Sequence, residues 1–172
     1  MMSVVVIVLK CILRKDRVSM SKKLTLKVDG LELTKKDIKE RFDKYNKMYF
    51  DGKLGKCEFL WGLVNNADYG AYHAYEKEDG LHSKIWVGRN TIWTEEGLRE
   101  LLVHEMIHMY VRTVEGKRMD GLLGHGRRFR RHCRRLKRDY GLLIRIHSDF
   151  GYINPKLKPK LWEKIMLWII DR

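Results

Sequence analysis

The chain has 172 residues, enough for one domain with a hydrophobic core and too few for two comfortable ones. Its 36 lysines and arginines outnumber its 22 acidic residues, so the formal net charge is +14, and nucleic acids are the first partners to consider. The cysteines at positions 11, 57 and 133 are widely spaced, which argues against a disulfide framework or a thiolate zinc site and favours a reducing, intracellular compartment.

Residues 1–20 form a predicted N-terminal extension. Its apolar segment, SVVVIVLKCIL, is interrupted by Lys10 and is shorter than the roughly 20 residues that a membrane span requires. Neither an anchor nor a signal peptide is indicated. Because Met20 opens a stretch typical of an ordinary soluble start, we interpret residues 1–19 as an upstream start-site artefact or a loose extra strand.

The first predicted helix begins after Thr34, a suitable N-cap residue. Ile38, Phe42, Tyr45 and Tyr49 then recur at helical spacing and form one apolar face. Three apolar and aromatic segments follow, CEFLWGLV, YGAYHAY and KIWVG, with turn-like sequences between them. We predict three short antiparallel strands.

A second helix is predicted after Thr94, because Glu95 and Glu96 lie in its first turn, where the helix dipole favours acidic residues. From Leu98 to Val111 most side chains are apolar, so this helix should be largely buried. Its polar residues therefore need partners inside the protein.

The sequence HEMIH lies within this apolar helix. His104 and His108 are one turn apart on the same face, the separation with which two imidazoles bind one tetrahedral zinc ion. Glu105 is rotated by about 100° from His104 and would point beside the metal. This H-E-x-x-H arrangement is typical of metalloproteases, in which the carboxylate takes a proton from water. The alternatives are a chance match or core histidines bonded to backbone carbonyls.

A catalytic zinc ion needs a third protein ligand and an open position. Valines at 111 and 114 exclude the metzincin extension, which has glycine and histidine there. His125 is the predicted third ligand, because the adjacent Gly124 and Gly126 allow a close approach of the backbone. The alternative third ligands are Glu115, Asp120 and His132. Structural roles are favoured for His73, His82 and His147, although His73 could lie near a substrate cleft.

The third predicted helix carries Phe129, Cys133, Leu136 and Tyr140 at helical spacing and ends at Gly141. Its other positions are crowded with cations, which repel one another at i, i+3 and i+4. A solvated face is one explanation, and an anionic partner is the simpler one. We predict phosphate binding without base specificity through Arg127, Arg128, Arg130, Arg131, Arg134, Arg135, Lys137 and Arg138.

The C-terminal part of the chain contains the segment LLIRI, which could form a strand, and KLWEKIMLWII, which could form a short closing helix. The prolines at 155 and 159 mark a boundary before that helix. We therefore separate residues 151–172, a basic C-terminal tail and helix, from a domain at residues 21–150.

The segments YNKMYFDGKLG, LWG, YGAY, KIWVG, LLVHEMIHMY and GHGRRF, in this order, resemble the SprT-like family of zinc metalloproteases over roughly Leu33 to Gly141. The resemblance implies that His104, His108 and His125 are zinc ligands and that Glu105 is the catalytic residue. It also implies cleavage of proteins associated with or crosslinked to DNA. Many members carry a zinc ribbon with paired cysteines, which are lacking here, so DNA contact must arise elsewhere or be missing.

Together, these observations predict a single α+β domain with a small antiparallel sheet of about three strands and a zincin-type helix pair. The predicted function is that of a metallopeptidase with one Zn²⁺ ion, acting on DNA-bound proteins. We expect a monomer without membrane contact, located at the nucleoid in the cytoplasm or, in a eukaryote, in the nucleus. The alternatives are another metal-dependent hydrolase and a non-proteolytic nucleic-acid-binding module with a structural zinc ion.

Overall fold

The computed structural model describes residues 31–62, 69–118, 120–121 and 124–146, together with the backbone of 151–153. The elements, in chain order, are α1 (Lys35–Phe50), β1 (Glu58–Gly62), β2 (Gly70–Lys77), β3 (Gly80–Gly88), β4 (Thr91–Trp93), α2 (Glu95–Thr113), α3 (Arg127–Tyr140) and β5 (Gly151–Ile153). The predicted extension at residues 1–20 and the closing helix lie outside the described residues. The proposed domain boundaries therefore stay predictions.

The α+β class is confirmed, and the sheet of three strands has the order β1-β3-β2. β2 and β3 form the expected antiparallel hairpin. β1, however, pairs with β3 in parallel, with Glu58 opposite Lys84 and Gly62 opposite Gly88, so the all-antiparallel prediction was wrong. The stretch from Gly62 to Gly70 has to span only two strand spacings, about 10 Å. The parallel pairing follows from the order of the strands in the sheet, which local sequence patterns do not reveal.

A second, two-stranded sheet was not predicted. β4 pairs antiparallel with β5, with Thr91 opposite Ile153 and Trp93 opposite Gly151. The segment LLIRI, predicted as a strand, is not one: residues 142–145 follow α3 without regular secondary structure. Leu142 and Ile144 are nevertheless buried, because alternate side chains of this segment turn toward the core.

The sequence correctly predicts where α1 and α2 begin and where α3 ends. Thr34 caps α1 in a reciprocal arrangement with Asp37, and the hydroxyl of Thr94 accepts a hydrogen bond from the backbone of Gly97 at the start of α2. Gly141 ends α3 with a left-handed backbone conformation, φ 65°, which glycine adopts without steric cost.

The core forms around α2, which packs against α1, β2, β3 and α3. Leu98, Leu101, Leu102, Met106 and Ile107 are all almost completely buried. Glu100, His104 and Glu105 on this helix are thereby withdrawn from water. Within the described part of the chain, no helix combines the length and apolar character needed to cross a bilayer.

Candidate metal centre

Three histidine rings converge between α2 and the segment that precedes α3. The Nε2 atoms of His104 and His125 are 2.9 Å apart, and that of His108 lies 3.2 Å from each of them. Among the described residues, this is the one group of three or more possible ligands whose atoms lie close enough to hold a metal ion. The structure therefore brings together the three histidines that the sequence singled out.

The tautomer of His104 is set by its other ring nitrogen. Nδ1 lies 3.0 Å from the carbonyl oxygen of Arg145, and because a carbonyl only accepts hydrogen bonds, Nδ1 must be the donor. In the neutral ring, Nε2 then carries a lone pair directed at the other two histidines. At most two of the three close nitrogen pairs can be hydrogen bonds, because if His108 and His125 both donate from Nε2 to this atom, neither has an Nε2 lone pair to accept from the other.

A metal ion between the three Nε2 atoms would accept a lone pair from each of the three rings. Ligand nitrogens at about 2.0–2.1 Å from a tetrahedral ion lie about 3.3 Å apart, close to the observed 2.9 and 3.2 Å. Burial, with the nearby rings of His104 and His125, lowers the pKa of His108 to about 3. This shift favours the neutral form of the ring, which is the form that a metal ion requires.

A single aromatic side chain supports all three rings. Phe129, on α3, is completely buried, and its ring centroid lies 4.8 Å from that of His104, 4.6 Å from His108 and 4.7 Å from His125. The sequence marked Phe129 as an apolar residue of α3, but nothing in the sequence indicated that it contacts every histidine of the site.

Two glycines allow His125 to reach the helix. Gly124 has φ +72°, and a Cβ atom there would lie 3.2 Å from Cε1 of His108. At Gly126, a Cβ atom would lie 2.7 Å from the carbonyl oxygen of Asp120, which is closer than a side chain tolerates. The close approach predicted for these glycines is thus present in the structure.

The alternative third ligands have other partners. One carboxylate oxygen of Asp120 accepts a hydrogen bond of 2.6 Å from the backbone nitrogen of Phe129 and so caps α3. Glu115 accepts hydrogen bonds of 2.8 Å from Nη1 of Arg128 and from Nε2 of His132. Burial alone would raise the pKa of Glu115, but its bonds to Arg128 and His132 hold that pKa at about 2.

Glu105 lies beside the histidine cluster, with 5% of its surface exposed. It follows His104 in α2 and is rotated from it by about 100° around the helix. A buried carboxylate that directly follows one of these histidines in the helix is suited to proton transfer. Of the other histidines, His73 lies in β2 opposite Lys84, His82 is hydrogen-bonded to Asp79, and His147 lies outside the described residues.

The predicted nucleic-acid-binding residues separate into groups. Arg135 donates a 2.7 Å hydrogen bond to the carbonyl of Tyr49, Arg138 pairs with Asp139, and Arg130 donates to the carbonyl of His125 at 3.0 Å. Lys137 is exposed on the outer surface of α3. The other four predicted cations line a groove of about 280 Å³, called here the arginine groove, formed by Arg127, Arg128, Arg131 and Arg134.

Comparison with known proteins agrees with the resemblance found in the sequence. A profile of the SprT-like family matches residues 38–148, more than half of the chain, and the chain belongs to this family. One relative is a protein of Caenorhabditis elegans named DNA-dependent metalloprotease dvc-1, which is 32% identical over 117 residues. That alignment covers 66% of this chain and 31% of the relative, so the chain spans about a third of that protein's length.

Proposed function

We propose that this protein is a zinc-dependent metallopeptidase that cleaves proteins associated with or crosslinked to DNA. The observation that carries the proposal is the convergence of three Nε2 atoms within 3.2 Å of one another, next to a buried glutamate. Family membership and the name of the relative support the same reading.

His104, His108 and His125 would hold the metal ion. Three imidazoles with a fourth position left for water or substrate are the ligand set of catalytic zinc sites. When bound, zinc supplies Lewis-acid chemistry, which polarises a carbonyl group and makes water acidic enough to react near neutral pH.

Glu105 would move the proton in peptide hydrolysis. As the oxygen of water bonds to the carbonyl carbon, the carboxylate accepts one proton from that water. It then delivers this proton to the amide nitrogen as the carbon–nitrogen bond breaks, so the products are a carboxylic acid and an amine. The surrounding apolar side chains exclude competing water and strengthen the electrostatic part of this transfer.

The arginine groove would contact the phosphates of DNA. Arg127, Arg131 and Arg134 are exposed at its surface, and guanidinium groups bind phosphate oxygens in pairs of hydrogen bonds. Such contacts fix the position of the protein on the backbone and read no bases. We therefore propose DNA binding without sequence specificity, by a monomer that acts at the nucleoid or in the nucleus.

The decisive experiment replaces Glu105 by glutamine. We expect hydrolysis of a DNA-bound protein, or self-cleavage, to fall by about 10² to 10⁴-fold, the usual contribution of a general base, while zinc content and melting temperature stay unchanged. Glu96→Gln is the matched control, because Glu96 lies on the same helix but is exposed.

Each alternative function gives a different result in this experiment. If wild-type protein binds zinc and DNA but cleaves no peptide bond under any condition, the non-proteolytic module with a structural zinc ion is the better account. Cleavage of another bond that requires Glu105 would indicate a different metal-dependent hydrolase. Undiminished proteolysis by Glu105→Gln would contradict the proposed proton transfer.

A further inference from the structure

A second buried carboxylate lies on α2, one turn before His104. Glu100 is 9% exposed, and because it precedes His104 by four residues, both side chains lie on the same face of the helix. The sequence offers no reason for an acid at this position, since the metal ligands of this helix are already complete. A buried carboxylate needs strong hydrogen-bond donors to offset its loss of hydration.

These donors all come from one residue, Arg145. Its backbone nitrogen and its Nε atom each lie 2.9 Å from Oε1 of Glu100, and its Nη2 atom lies 2.7 Å from Oε2. The paired bonds between guanidinium and carboxylate fix direction as well as distance. Together with the bond from the backbone, they hold both the main chain and the side chain of Arg145.

The same residue then acts on His104. The carbonyl oxygen of Arg145 accepts the hydrogen bond from Nδ1 of His104, at 3.0 Å. Leu142 and Ile144, both buried, hold the preceding part of this segment in the core. A chain of contacts therefore leads from Glu100 through the backbone of Arg145 to the ring of His104, and starts and ends on α2.

We infer that Glu100 and Arg145 are positioning residues that orient the ring of His104 for metal binding. The three hydrogen bonds between Glu100 and Arg145, called here the clamp, hold the carbonyl oxygen of Arg145 in place. This oxygen selects the tautomer of His104 with a proton on Nδ1, so that Nε2 would face the metal ion. Outer partners of this kind raise the basicity of a histidine ligand and lower the freedom of its ring. The inference rests on the proposed metal centre and adds two residues to it.

The test measures zinc affinity in the absence of any substrate. We expect Glu100→Gln to weaken zinc binding by about 10-fold or more, within the 10 to 100-fold range observed for outer partners of metal ligands. Affinity is measured by competition with a chromophoric chelator. Glu96→Gln, which changes an exposed acid on the same helix, should bind zinc as the wild type does.

A merely structural role predicts a different pattern. It would lower the melting temperature of the metal-free protein and leave the zinc affinity of the folded protein unchanged, which would overturn the inference. A second readout is the Nδ1 proton of His104 in the NMR spectrum of the zinc-loaded protein. We expect it to exchange with water faster in Glu100→Gln than in the wild type, and equal exchange would also contradict the clamp.

Arg145→Gln keeps the test informative if Glu100→Gln does not fold. The side chain of Arg145 is 50% exposed, so its replacement disturbs the core little, and its backbone bonds to Glu100 and His104 can persist. A smaller loss of zinc affinity in the same direction is expected, and wild-type affinity would overturn the inference. If the wild type binds zinc without hydrolysing peptides, the proposed function fails while this inference stands.

Discussion

The helices α2 and α3 differ in whether their ionisable side chains are buried or exposed. α2 buries eleven of its 19 residues, among them Glu100, His104 and Glu105, whereas α3 buries three of 14 and leaves most of its cations at the surface. An ionisable group inside a protein must find a partner or lose its charge. Each buried polar residue of α2 therefore requires a specific partner, which is Arg145 for Glu100.

On α3 the same reasoning is weaker, because a surface cation is already solvated and needs no partner. The structure shows how mixed its arginines are. Arg135 is a structural residue that lies over the ring of Phe50 and bonds to α1, while Arg128 and Arg131 bind Glu115. Counting charges on a helix thus overestimates the number that serve a ligand.

The largest effect is expected at the metal centre. His125→Ala should weaken zinc binding by more than about 100-fold, because it removes a ligand rather than an outer partner, and should abolish hydrolysis. Zinc content after dialysis and the rise in melting temperature on adding zinc measure this loss. His73→Ala is the control. One tightly bound zinc ion in His125→Ala would show that zinc binding by His104 and His108 does not require His125.

The next largest effect concerns the packing between the two helices. Phe129→Ala should lower the free energy of unfolding by about 3–5 kcal/mol, the usual cost of truncating a buried phenylalanine, and should also weaken zinc binding. Urea unfolding of the metal-free protein gives the first value. Leu143→Ala, at a residue 57% exposed, should stay within about 0.5 kcal/mol of the wild type. Unchanged stability in Phe129→Ala would contradict the buried packing of the Phe129 ring against the three histidine rings.

A smaller effect tests the arginine groove. The double variant Arg127→Gln with Arg134→Gln should reduce the dependence of the logarithm of DNA affinity on the logarithm of salt concentration by about 2, one for each phosphate that is no longer neutralised. Lys36→Gln with Lys44→Gln removes the same charge from the exposed face of α1. If both double variants reduce this salt dependence equally, the arginine groove contributes to DNA binding only through its net charge.

The smallest effect concerns Glu115, which ties α3 to the chain that follows α2. Its pKa falls from an ordinary 4.5 to about 2 in the folded protein. Between these values the unfolded state binds more protons, so stability must decrease as the pH falls through this range. Glu115→Gln should show a shallower decrease in urea midpoint from pH 5 to pH 3. Equal pH profiles of the wild type and Glu115→Gln would mean that the bonds of Glu115 to Arg128 and His132 do not stabilise the folded protein.

Much of the site could be predicted from the sequence because its information is local. The spacing of His104 and His108 on an apolar helix, the cap at Thr94 and the glycines around His125 each depend on a few neighbouring residues. The starts of α1 and α2 and the end of α3 follow from their cap residues, and the α+β class follows from the periodicity of the apolar side chains. The family resemblance, confirmed by the match at residues 38–148, pointed to the same residues.

Other features required contacts between distant parts of the chain. The parallel pairing of β1 with β3 and the small sheet of β4 and β5 have no local sequence signal, because each depends on the route of the intervening chain. The segment LLIRI is apolar enough to suggest a strand, but in the structure it buries Leu142 and Ile144 and has no strand partner among the described residues. Pairing, rather than pattern, decides whether a segment becomes a strand.

The sequence by itself determined that an apolar helix carries two histidines and a glutamate at a spacing suited to a metal ion. Burial follows from composition, and the shared face of the two histidines follows from the backbone geometry of a helix. Only the tertiary structure decided which third ring joins them and that Phe129 supports all three. It alone also decided that Glu100 reaches His104 through Arg145, 45 residues further along the chain. Such contacts are absent from any local pattern because folding, and not sequence proximity, brings their atoms together.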